Sequence, residues 1–120
     1  MKDLKISTEL ASAVLGKEVT KCSLINKARN SINITYFEDK EDFNAICREW
    51  NIYEFAFKCK EWALAQNYSM LSLPTKDGGK CEFYLKSVNS IKDKVQRDKS
   101  EVESIIKACS CILESLSETI

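Results

Sequence analysis

The chain has 120 residues, enough for one domain with a hydrophobic core of its own and no need for covalent staples. Lysine plus arginine and aspartate plus glutamate both total 18, so the formal net charge is zero and no global field draws the protein to nucleic acid or to an anionic membrane. A hydrophobic fraction of 44% and a charged fraction of 30% exclude a disordered chain and set the expectation of a single domain over 1–120.

No apolar run approaches the roughly 20 residues of a membrane span, and MKDLKISTEL lacks the apolar core of a signal peptide. A cytoplasmic setting without membrane contact is expected. Cys59 and Cys109 fall inside apolar helical stripes, so the six cysteines read as reduced thiols, with Cys47, Cys59 and Cys109 expected to be buried. There is no histidine and no CxxC pair. Cys109 and Cys111, two positions apart on a helix, diverge by about 200°; neither a metal site nor a cofactor is expected.

In chain order, Ser7 caps a short helix through Leu15, with Leu10, Ala11, Val14 and Leu15 on one face and Gly16 as its stop. EVTKCSLI and SINITYF, rich in β-branched and aromatic residues around the turn-like NKARN, predict a hairpin. EDKED reads as a solvated loop, and FNAICREW as a helical turn through Phe43, Ile46, Cys47 and Trp50. Asn51, with Glu54 three residues on, opens the main helix, and Asn67 is its left-handed terminator. YSMLSL and CEFYL flank TKDGGK and predict a second hairpin with Cys81, Phe83 and Leu85 on one side. Lys86 to Lys99 carries five basic and two acidic residues around Val88, Ile91 and Val95 and reads as a flexible connector. Ser100 with Glu103 caps the last helix, which runs to about Leu116. The expected fold is α+β, a four-stranded, mainly antiparallel sheet covered by helices in the order α-ββα-ββα.

The two long helices differ. On the last, Val102, Ile105, Ile106, Cys109, Ile112, Leu113 and Leu116 share one face. On the central one, Ile52, Phe55, Ala56, Cys59, Trp62 and Ala63 fill a similar face, while Tyr53, Phe57 and Leu64 form a second stripe with Lys60 between the two. The second stripe either packs on a neighbouring element or forms a surface patch rimmed by Lys60 and Glu61, the composition of a protein-binding hot spot.

Catalytic motifs are missing. A Cys or Ser nucleophile normally uses a histidine base, and none exists. KDGGKCEFYLK is superficially like a magnesium-nuclease motif, but Tyr84 stands where its lysine belongs, and GGKC lacks the spaced glycine and the hydroxyl residue of a phosphate loop. The chain is expected not to be an enzyme. Nucleic-acid binding is the alternative, with Lys86, Lys92, Lys94, Arg97 and Lys99 as phosphate contacts and Tyr84 as a stacking platform.

NIYEFAFKCKEWALAQNYSM, the hairpin after it and SEVESIIKACSCILE, together with ISTELASAVLG and its strand, resemble small uncharacterised phage and prophage proteins of the phage α/β/α-sandwich type. Glu38 to Trp50 and Ser87 to Lys99 depart from that pattern as inserts. The resemblance implies a non-enzymatic accessory protein in the host cytoplasm that binds and modulates another protein, for example an inhibitor of a host defence system such as CRISPR-Cas. It carries over no functional residue. A protein partner is therefore expected at Tyr53, Phe57, Lys60, Glu61 and Leu64, and a homo-oligomer is left open.

Overall fold

The computed structural model describes residues 5–39, 41, 43–85 and 94–118. Its elements are α1 (Thr8–Leu15), β1 (Glu18–Cys22), β2 (Ser31–Phe37), β3 (Ile46–Asn51), α2 (Ile52–Ala65), β4 (Tyr68–Thr75), β5 (Gly78–Leu85), β6 (Lys94–Asp98) and α3 (Glu101–Glu118). They form two compact units, Met1–Lys58 and Cys59–Ile120. The expected single four-stranded sheet is corrected, because each hairpin acquires a third strand and the strands divide into two antiparallel sheets, β1-β2-β3 and β4-β5-β6. The central strands β2 and β5 are thereby paired on both sides, and neither hairpin needs the other.

In the first unit, Ser7 Oγ accepts the Leu10 N–H at 3.1 Å and starts α1, and Gly16 ends it in the left-handed region with φ 65°. The β1–β2 register shifts between Val19 and Lys21. That bulge lets Val19 and Cys22, three residues apart, both be buried, where strict alternation would turn one outward. Ile32, Ile34 and Tyr36 supply the buried row of β2.

The reading of FNAICREW as a helical turn is overturned, since Ile46–Asn51 forms an edge strand paired with β2. Its Ile46, Arg48 and Trp50 stand opposite Tyr36, Ile34 and Ile32. The arginine in that row is exposed on the edge strand, and its guanidinium lies 5.0 Å from the centroid of the half-buried Trp50 ring, which itself tilts against Tyr36 at 6.5 Å. Cys47, expected to be buried, is exposed on this strand.

In the second unit, Met70 pairs with Phe83 and Ser72 with Cys81, and Phe83 and Cys81 are buried. Gly78 has φ +143°, a conformation that side chains rarely adopt. A Cβ on Gly79 would lie 2.1 Å from the backbone nitrogen of Glu101, so this glycine allows β5 to touch the start of α3. The connector reading is corrected for Lys94–Asp98, which pairs with β5 as β6, while residues 86–93 lie outside the described part. Ser100 Oγ accepts the Glu103 N–H at 3.1 Å and so caps α3, while its hydroxyl donates to the Glu103 carboxylate at 2.9 Å. Ser72 Oγ donates to the Glu101 carboxylate at 2.8 Å and fixes that end of the helix to β4. Along α3, Ile105, Ile106, Cys109 and Ile112 are buried, as are Ser104 and Ala108, so its covered face is wider than the apolar stripe.

Candidate functional site

The site is built on α2, and β3 determines which way that helix faces. Asn51 is both the last residue of the strand, opposite Ser31, and the cap of the helix: its Oδ1 accepts the N–H groups of Tyr53 at 2.8 Å and Glu54 at 3.3 Å. The Ile52 N–H donates to the Asn30 carbonyl at 2.8 Å, where Asn30 takes φ 51°. With no loop between strand and helix, the sheet register sets the helical phase. Ile52, Phe55, Ala56, Cys59 and Ala63 are buried. Asn67, at φ 67°, ends the segment in the left-handed conformation.

The second stripe emerges on another side of the helix, about 120° around from the centre of the buried one. Tyr53 is 57% exposed, Phe57 63% and Leu64 56%. At 100° per residue these three and Lys60 lie within roughly 60° of arc. Lys60 is half-buried and Glu61 exposed. Each solvated aromatic or aliphatic side chain forgoes about 1.5–3 kcal/mol that burial would contribute. Three of them on a single helical row make an apolar surface with charged neighbours.

The alternative set is only partly brought together. Lys86 and Lys92 lie outside the described residues, Lys94 opens β6, and Lys99 follows its end. Arg97 is exposed and pairs with Lys80, which places it on the same face of the second sheet as Tyr84, itself 47% exposed. Glu82 lies between them in the same row of β5 and is ion-paired with Lys80 at 3.3 Å. The sequence reading missed the apolar part of that face: Leu71 and Val95 flank Glu82 across the sheet, and both are exposed. Alternation in YSMLSL carries the signal for Leu71, whereas Val95 needed the third strand to be recognised.

Three thiols meet inside the second unit. Cys59, Cys81 and Cys109 are fully buried, and the Cys109 thiol donates to the Cys59 carbonyl at 3.4 Å. The hydrogen bond with Cys109, and then burial, hold the Cys59 thiol well above its ordinary pKa. Burial first and the neighbouring Cys109 second push Cys81 up to about 12, against a downward pull from Lys60. Cys59 and Cys81 are therefore protonated at neutral pH and serve as small apolar core groups. Among the described residues no group of three or more His, Cys, Asp or Glu is placed to hold a metal ion, and no helix is long and apolar enough to cross a membrane.

No known protein family, curated protein or solved structure matches the chain.

Proposed function

We propose that this chain is a non-enzymatic interaction protein that docks another protein on the outward face of α2, with Tyr53, Phe57 and Leu64 as apolar anchors and Lys60 and Glu61 beside them. One observation carries the reading: three large apolar side chains in a single helical row are each more than half exposed. A phage accessory role, with a host defence enzyme as the protein bound, is the class that the sequence resemblance implies. The test uses the full chain and its Tyr53→Ser/Phe57→Ser variant as bait in an extract of the native host. The variant is expected to melt with the parent and to lose proteins that the parent retains. Unfolding of the variant would make these residues core, and an unchanged set of retained proteins would remove α2 as the docking face.

A second reading is supported by Tyr84 and Arg97 on one exposed sheet face, an aromatic ring and a cation of the kinds that single-stranded nucleic acid uses. Glu82 in the same row opposes it. Retention of a single-stranded oligonucleotide at low salt, weakened by Arg97→Glu and by Tyr84→Ala, would favour this reading. Absence of retention at low salt would eliminate it.

A further inference from the structure

Resting on the α2 reading above, we infer that the partner presents an amphipathic helix with basic residues along one flank and a carboxylate at one central layer, and that a second copy of this chain is not the partner. The spacing of the exposed row is the starting point. Tyr53, Phe57, Lys60 and Leu64 follow each other at intervals of four, three and four, the a/d rhythm of a helix–helix seam over about two heptads. A facing helix laid along this row would bury all four positions.

The two flanks of the row differ. On one side stand Ala56 and Ala63, both buried in the protein itself. On the other stand Glu54 and Glu61, one heptad apart and both exposed and nearest the seam, with the exposed Lys58 between them and further from it. Residues at flanking positions choose the partner of such a seam through charge. An antiparallel second copy would set Glu54 and Glu61 against their own counterparts, like charge against like. A parallel copy would set them against Ala56 and Ala63, which offer no charge and are already covered. Self-association therefore gains nothing from the flank, whereas Lys or Arg on a foreign helix would meet two carboxylates.

Lys60 adds a second requirement. It is half-buried, has no ion-pair partner among the described residues, and interrupts an otherwise apolar row. A lone lysine in a seam fixes the register, because only one alignment of the partner supplies it with an acid. The basic flank and the single acid together define a polar pattern around an apolar stripe.

The probe is a synthetic helical peptide with leucine at the seam positions, glutamate at the layer facing Lys60, and lysine along the flank facing Glu54 and Glu61. Its control carries glutamate along that flank. Fluorescence anisotropy with the full chain is expected to show the lysine-flanked peptide binding about tenfold more tightly than the control, with the preference reversed by Glu54→Lys/Glu61→Lys. Sedimentation equilibrium of the chain alone is expected to show a monomer. Equal binding of the two peptides, no binding of either, or a dimer dissociated by Phe57→Lys would each overturn the inference. If flank charges have no effect while Tyr53→Ser/Phe57→Ser still abolishes capture of host proteins, the docking face stands and only the partner chemistry is wrong. If capture survives that double variant, the docking face itself fails.

Discussion

Helices α2 and α3 both follow a three-stranded meander and both begin at a side-chain cap, yet they spend their apolar residues differently. In α3 the apolar stripe is drawn into the core, and even Ser104 and the carboxylate-bearing Glu103 at its start are buried. In α2 one row is buried and a second row, apolar except at Lys60, is left largely in solvent. Helices rich in apolar residues can thus have them all drawn toward the core, or leave one apolar row in solvent. The contrast makes side-chain truncation informative, since the same chemical change should have opposite consequences on the two helices.

The largest effect is expected where α3 is seated. Gly79→Ala drives a methyl group into the backbone of Glu101 and should cost about 3 kcal/mol or more in a denaturant titration followed by circular dichroism. A change under about 1 kcal/mol would mean that β5 and α3 separate easily. Next, Ile106→Ala in the buried face of α3 should cost about 2–5 kcal/mol, whereas Phe57→Ala on the outer row of α2 should stay within about 0.5 kcal/mol. Equal losses would erase the distinction between the helices.

A smaller effect concerns pH. Cys59 and Cys81 carry raised pKa values when folded, so their contribution is fully present below the unfolded thiol value near 9 and is lost as pH rises toward the folded value, which for Cys81 is about 12. Stability should fall above pH 9 by up to about 1.4 kcal/mol per pH unit for each thiol. Cys81→Ala should flatten that slope, and an unchanged slope would reject the assignment. The two caps are expected to cost less to remove than the core side chains. Asn51→Ala and Ser100→Ala should each lose about 1 kcal/mol, but only the Asn51 change should also weaken partner capture, because that cap aims the exposed row.

Most local elements are legible in the sequence because their signals are local: Ser7 and Gly16 bracket α1, Asn51 and Asn67 bracket α2, and Ser100 with Glu103 opens α3. The third strand of each sheet is not. In FNAICREW the residues Phe43, Ile46, Cys47 and Trp50 fit a helical spacing, and Arg48 occupies a place where alternation wants an apolar side chain. Its exposure on an edge strand keeps the guanidinium hydrated, and stacking on Trp50, paired across from Ile32, holds it there. In KVQRD a single valine gives no period, and the strand is held by its register with β5 and by the Gln96 amide donating to the Cys111 sulfur at 3.2 Å. Once both edge strands are missed, four strands suggest one sheet. The two apolar sides of α2 can be read from spacing alone, but whether the second is covered depends on tertiary placement, which no local pattern encodes. Cys47 shows the same limit, an apolar-looking residue left outside on an edge strand.

The direct splice of β3 into α2 has a practical consequence. Force applied to the helix by a docked molecule reaches the strand without a slack loop to absorb it, so β3 should behave as a strain gauge, its amides exchanging with solvent more slowly once the helix is gripped. Cys47, exposed midway along that strand, offers a handle for a fluorescent label that would sense the load from outside the contact area.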